Sequence, residues 1–283
     1  MRHLLVSVLL VTAACATDEE PAGETDLPVD SDPADDTDAV DTDPPVDTDD
    51  SDPPADTDET DVPPVDTDGG DTWYHVVLDL RALGTGVGFD LDGDGTVDNA
   101  IGGLAGTLNP LLADNYGSTH QYAVTQLWGV DTVDQLVDVG ILGGKDDDED
   151  PTDNRSGVEP FSLIGPSLSA DGHAPLYAST TVDPVSGAYE ATLPAGTLRL
   201  GVLQVPVATP IYIRGEITAA NHTGALGGAV RTDDLVVVLD AFGLGSLAAL
   251  AGLLADIDLD ADGEPDAVSV AFGFDGPAAV LVP

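Results

Sequence analysis

From Ala16 to Thr72 the chain carries 23 Asp or Glu residues and no Lys or Arg, and no aromatic side chain occurs before Trp73. The segment is built on DTD and DPP units, as in DSDPADDTD, VDTDPPVDTDDSDPP and ADTDETDVPPVDTD. So little apolar surface cannot offset the entropy of ordering the backbone. Proline biases the chain toward polyproline II and like charges extend it. At ~3.1 Å per residue such a segment reaches roughly 150–180 Å. The expectation is a disordered acidic stalk over residues 15–72, with folding confined to a single domain over 73–283.

The whole chain has a formal net charge of −46, with Lys+Arg 7 against Asp+Glu 53. Nucleic acid is excluded as a partner, because its binding rests on cationic neutralisation of phosphates. Hard cations that take oxygen ligands are the natural attractants. The single cysteine, Cys15, cannot form a disulfide within the chain, so the domain depends on its core and on any metal it binds.

The N-terminus reads MRHLLVSVLLVTAAC. A short positive start precedes the apolar run Leu4–Ala14, which is too short to span a bilayer and suits a signal peptide over residues 1–14. Ala13 and Ala14 before Cys15 resemble the lipobox of bacterial lipoproteins, with Thr12 in place of the usual Leu. The resemblance implies acylation of Cys15, which becomes the mature N-terminus and ties the chain to a membrane. Ala16 after it resembles an outer-membrane address. Similar Asp-Thr-Asp-Pro stalks follow the lipidated cysteine in surface lipoproteins of myxobacteria and their relatives. An exported, lipid-anchored protein at the outer membrane or cell surface is therefore expected.

Within 73–283, Val76–Leu80 reads as a strand. Ile101, Leu104, Leu108, Leu111 and Leu112 fall at helical spacing, with Asp98 or Asn99 as the cap and Pro110 distorting the end. Beyond residue 185 the period becomes two. Leu198, Leu200 and Val202 form one set, and Ile211, Ile213 and Ile217 another. Val268, Val270, Phe272 and Phe274 form the last. Val236–Leu239 reads as a short buried strand, and a small helix is expected from Ser246, carrying Leu247, Leu250 and Leu254. The fold class predicted is mainly β, an antiparallel sandwich or barrel-like domain with two short helices beside acidic loops.

Those acidic loops are FDLDGDGTVDNA (89–100) and IDLDADGEPDAV (257–268), both of the form D-x-D-x-D-G-x-x-D. Side chains at alternate positions turn inward when a chain curls round a cation. A glycine at the sixth position permits the sharp turn, and the seventh offers its carbonyl. The template assigns Asp90, Asp92, Asp94, Asp98 and the carbonyl of Thr96 in the first loop. In the second it assigns Asp258, Asp260, Asp262, Asp266 and the carbonyl of Glu264. The loops resemble the calcium loops of the EF-hand, dockerin and thrombospondin type 3 families, which implies structural Ca²⁺. The twelfth position holds Ile101 and Ser269 where those families place an acid, and neither loop lies between two helices. An EF-hand pair is not expected. The two loops are expected to lie near each other from their local symmetry.

Other motifs carry less. KDDDEDPTDN (145–154) lacks the glycine and reads as a solvated loop able to donate ligands. His75, His120, His173 and His222 form no H-E-x-x-H or zinc-like pattern and read as structural or surface residues. Gly243, Gly245 and Ala248 after Val236–Leu239 make a superficial dinucleotide fingerprint with no βαβ series around it. The function expected is a non-enzymatic surface module stabilised by calcium, for adhesion, envelope organisation or binding of an unknown protein or polysaccharide. The alternative is a calcium-dependent surface hydrolase acting on an extracellular polymer.

Overall fold

The computed structural model describes residues 70–131, 135–165, 168–241 and 243–282. The expected signal peptide, Cys15 and the expected stalk up to residue 69 lie outside the described residues. The first strand among the described residues opens at Asp71, two residues before the domain boundary expected at Trp73.

Two sheets face each other, as the alternating patterns require. The first runs β1 (Asp71–Val77), β3 (Gln121–Val130), β4 (Leu136–Asp146), β5 (Pro160–Ile164) and β13 (Val280–Val282), with β6 (Leu176–Thr181) also paired to β4. The second runs β2 (Asp79–Ala82), β12 (Ala267–Pro277), β11 (Asn221–Arg231), β10 (Ile211–Ile217) and β7 (Ala188–Leu193). A separate hairpin joins β8 (Gly196–Leu200) to β9 (Leu203–Val207). All described pairs are antiparallel except β13 with β5.

VVLDL is not one strand. The chain breaks at Leu78, whose N–H donates to Asp275 O at 3.1 Å, and passes from the first sheet into the second. Here β1 crosses close over β12. A Cβ at Gly276 would collide with the carbonyl of Val76, so only glycine fits that crossing.

The residues expected to be inward are inward. Ile211, Ile213, Ile217, Leu198, Leu200, Val268, Val270, Phe272 and Phe274 all belong to one core with Val76, Leu127, Val139 and Phe161 from the first sheet. Val202 departs from its set. It sits in the turn between β8 and β9 and is 44% exposed.

The helices differ more. The leucine-rich segment begins as a 3₁₀ turn, Ala100–Leu104, and continues as α1 (Ala105–Thr119), so Pro110 lies inside the helix rather than at its end. Asn99 makes no capping bond. Its amide donates instead to Leu83 O, Gly84 O and Val87 O at 2.9–3.0 Å. Residues 236–239 are not a strand but part of α2 (Thr232–Ala241), with Asp233 and Asp234 in its first turn facing the positive end of its dipole. Leu235 and Leu239 are buried one turn apart, while Val237 is 67% exposed. The helix expected from Ser246 forms as a 3₁₀ turn, Gly245–Leu250, followed by α3 (Ala251–Leu254). There are thus three α-helices among the described residues where two were expected. α1 and α2 close over Val270 and Phe272, leaving an apolar cavity of about 60 Å³.

Candidate metal centre

The first acidic loop leaves the second sheet after β2, and its base is pinched by a bridge between Phe89 and Asp98, with Asp98 N–H donating to Phe89 O at 2.8 Å. Phe89 is held from outside. It stacks on Tyr212 at 5.8 Å between ring centroids, and the Arg214 guanidinium lies 4.9 Å from its ring while donating to Gly88 O at 3.0 Å. Inside the loop, Asp90 accepts from the N–H groups of Gly93 (2.8 Å) and Gly95 (3.0 Å). Asp92 accepts from Asp94 (3.1 Å) and Asp94 from Thr96 (2.6 Å). Gly93 and Gly95 adopt φ of +80° and +86°, the left-handed turns that wind the chain inward.

The second loop repeats most of these bonds. Asp266 N–H donates to Ile257 O at 3.0 Å, as Asp98 does to Phe89. Asp258 accepts from Gly263 (2.7 Å), Asp260 from Asp262 (3.3 Å) and Asp262 from Glu264 (2.9 Å). Ala261, at φ +59°, takes the left-handed place of Gly93, and Gly263, at +95°, that of Gly95.

The consequence in each loop is convergence of like charge. One oxygen from each of Asp90, Asp92 and Asp94 lies within 4.8 Å of the others, and the same holds for Asp258, Asp260 and Asp262. Each triad is a donor set that can hold a metal ion. Oδ1 of Asp258 is buried and makes no hydrogen bond. The Gly263 N–H holds this carboxyl below its ordinary range.

The other template residues play a different part. Asp98 accepts from Leu91 N–H at 2.7 Å and Asp266 from Leu259 N–H at 2.9 Å, so both brace the loop through its backbone. Arg231 pairs with Asp266 at 3.2 Å. Burial pushes the Asp98 carboxyl above its ordinary value, and the nearby charges of Asp92, Asp256 and Asp94 act in the same direction, against the Leu91 N–H. Thr96 and Glu264 bind Asp94 and Asp262 through their N–H groups, at the loop positions whose carbonyls the template assigns.

The two loops are neighbours, as their symmetry suggested. Leu91 and Leu259, the second residue of each, pack into one small apolar cluster with Ala229, Ile257 and Ala267. The residue that joins them is one that the template counts as a defect. Ser269 is fully buried. Its Oγ donates to Asp256 at 2.5 Å and accepts from Ala100 N–H at 2.7 Å, so the entry of the second loop is tied to the exit of the first. Ile101, at the same position of the first loop, goes into the core. The twelfth residues were therefore spent on packing, and only that mismatch marked them in the sequence.

The third acidic stretch is not a solvated loop throughout. Asp146 and Asn154 are almost completely buried, as is Glu159 just beyond them. Lys145 pairs with Glu149 at 3.2 Å on the outside.

Three of the four histidines of the domain are committed to structure. His222 bridges the sheets, with Nδ1 2.7 Å from Thr125 Oγ1 and Nε2 2.6 Å from the Tyr189 hydroxyl. His75 packs edge-on to it at 5.6 Å and reaches Thr218 O at 2.9 Å. His173 lies between Trp128 and Tyr177, with Nε2 2.7 Å from Asp138 and Nδ1 3.2 Å from Asp171. Both of its nitrogens face carboxylates, which leaves none to activate a serine. A wide groove of about 880 Å³ contains Asp183, Glu190, Glu216 and Arg214. Asp183 is tied into a turn by the N–H groups of Ser186 (2.7 Å) and Val185 (2.9 Å), which hold its carboxyl below the usual range. That is opposite to the shift a general acid needs. The dinucleotide fingerprint fails because a helix, not a strand, precedes Gly243.

No protein-family profile matches the chain, and no curated protein or solved structure shows significant similarity to it. Among the described residues, no helix is long and apolar enough to cross a membrane.

Proposed function

We propose that this chain is a non-enzymatic surface module, anchored through acylated Cys15 and lifted from the membrane by its acidic stalk, with Ca²⁺ bound in the two paired loops as a structural ion. The observation that carries the reading is the pairing. Two loops wound in the same way share one apolar cluster and one serine, so an ion in either stabilises the ground on which the other stands. Ca²⁺ suits exposed, flexible, all-oxygen donor sets better than Mg²⁺, which demands a tight octahedron. Water completes the coordination that no twelfth-position acid supplies. Affinities of extracellular modules, about 10⁻⁴–10⁻³ M, match such sites. The module displays its surface to an unknown protein or polysaccharide and serves adhesion or envelope organisation.

The experiment is limited proteolysis of bacteria expressing the full chain. The stalk offers trypsin no site, because it has no Lys or Arg, so proteinase K is the reagent. In millimolar Ca²⁺ the reading expects release of an intact domain from whole cells, and in EDTA its digestion. Cys15→Ser should shift the protein out of the membrane fraction. A domain that stays protected from external protease, or a Cys15→Ser variant still held in membranes, would contradict the anchored display.

A further inference from the structure

The end of the domain at which β3 turns into β4 and β6 into β7 holds a cleft of about 570 Å³. The topology keeps the two sheets apart there. β6 pairs with β4 in the first sheet and β7 with β10 in the second, although only the turn 182–187 joins β6 to β7. That turn opens as a hairpin, with Asp183 N–H donating to Ala188 O at 2.8 Å and Gly187 N–H to Asp183 O at 2.8 Å, and the two strands then part into different sheets. Gly187 fixes the turn against the second sheet. Its carbonyl accepts from Ile217 N–H at 3.0 Å, its φ is +73°, and a Cβ there would collide with Ile217 O.

The cleft has the anatomy of a protein interface, an apolar centre within a polar rim. Buried Leu127, Val137 and Ile217 line it together with half-buried Trp73. Val185, in the turn beside them, is 94% exposed. The charged side chains in its described lining are Asp131 and Asp183. The groove of about 880 Å³ shares Gln135, Val182 and Asp183 with this cleft and adds Glu190, Glu216 and Arg214. Arg214 turns its guanidinium to Gly88 O and the Phe89 ring. The two hollows together are therefore bordered by acids, and the one base among their described lining residues is already engaged.

That pattern selects the occupant. The chain's own segment 16–72, with 23 acids and no base, has the wrong charge for such a rim. A second copy fits no better, with Lys+Arg 7 against Asp+Glu 53. A segment that sets large apolar side chains beside bases fits both parts at once. The apolar groups lose water against Trp73 while the bases meet carboxylates at the rim. We propose that this cleft binds a partner protein through an exposed segment in which Lys or Arg alternates with large apolar side chains. The apolar ones seat against Trp73, Val137 and Ile217, and the basic ones face Asp131, Asp183, Glu190 and Glu216. The inference rests on display of the domain to a partner, as proposed above, and is independent of the calcium loops.

Trp73 and Trp128 are the two tryptophans of the chain. The test is the emission of Trp73 in the purified full chain carrying Trp128→Phe, which keeps a ring against His173. The probe is the hexapeptide Lys-Phe-Lys-Phe-Lys-Phe, titrated in millimolar Ca²⁺. A saturable blue shift is expected, and Val185→Lys, at an exposed position, should weaken binding by about tenfold or more. Hexalysine, which meets the acidic segment by charge alone, should leave Trp73 unmoved. No shift up to millimolar peptide, the same shift with hexalysine or with Glu in place of Lys, or undiminished affinity in Val185→Lys overturns the inference. So does a shift produced instead by a neutral glucose hexamer, or by protein concentration alone, which would give the cleft to a polysaccharide or to a second copy. The melting midpoint of the same samples in Ca²⁺ and in EDTA separates this inference from the calcium reading. A chain that melts higher in Ca²⁺ but does not bind the peptide loses the cleft alone. One that binds the peptide without responding to Ca²⁺ upholds the cleft and counts against the calcium loops.

Discussion

Ser269 shows how a single side chain decides whether two loops act as one. Replacing it with alanine leaves the Ala100 N–H and one Asp256 oxygen without their buried partner. Ala100 is half-buried and Asp256 exposed, so each lost bond costs about 0.5–1.5 kcal/mol. Ser269→Ala should therefore lower the urea midpoint at an unchanged denaturant slope, and an unaltered midpoint would remove the serine from the account. The buried histidines act at the same scale through protons. Burial and the neighbouring His75 hold His222 well below its ordinary value, and burial lowers His75 against its bond to Thr218. Unfolded imidazole protonates near pH 6.5. Below that pH the unfolded chain binds more protons, so stability is complete above about pH 6.5 and is lost as pH falls toward the folded values. Asp98 and Glu159, whose carboxyls are raised, act with the opposite sign at lower pH. In EDTA the melting midpoint should drop between pH 7.5 and 5.5, and His75→Gln, which keeps a donor for Thr218, should make the drop shallower. Equal slopes in the two proteins would assign the effect elsewhere.

At the scale of elements, what the sequence displayed depended on how local the cause was. Period-two patterns marked β10 and β12 of the second sheet and β8 of the hairpin, because each strand's inner face is set by its own alternation. The loops were legible for the same reason, since five or six consecutive residues make the turn. α2 was not. Its Val-Val-Val-Leu run has strand propensity, and only packing of Leu235 and Leu239 against Val270 and Phe272, which lie more than 30 positions away, selects the helix. The break at Leu78 and the partnership of Ser269 with Ala100 are likewise long-range. The helix makes a clear prediction. Leu239→Ala should cost about 2–5 kcal/mol, and Val237→Ala should stay within about 0.5 kcal/mol. In a strand, residues 237 and 239 would share a face, so comparable losses at both would contradict the helix. Glu159 was missed because it joins Asp146 and Asp148 through the β4–β5 pairing rather than through spacing along the chain.

For the whole molecule, the distribution of charge is the organising fact. A chain with 53 acids against 7 bases cannot neutralise itself with salt bridges. Among the described residues, carboxylates gather into three compact clusters, each wound by backbone N–H groups, while strands and helices bury a continuous apolar core. A cation held by such clusters in the folded state alone would couple its binding to folding. The measurement that tests this most directly is the thermal midpoint of the full chain in EDTA, in Mg²⁺ and in Ca²⁺, beside Asp92→Asn and Asp260→Asn. A melt responds only to ions that the folded state binds more tightly than the unfolded one. The account predicts a rise in Ca²⁺ well above that in Mg²⁺, worth ~2.7 kcal/mol per site at 100 times the dissociation constant, and smaller in each variant. An equal rise in both ions that neither substitution reduces would mean charge screening alone, and would contradict calcium as a structural ion of this domain.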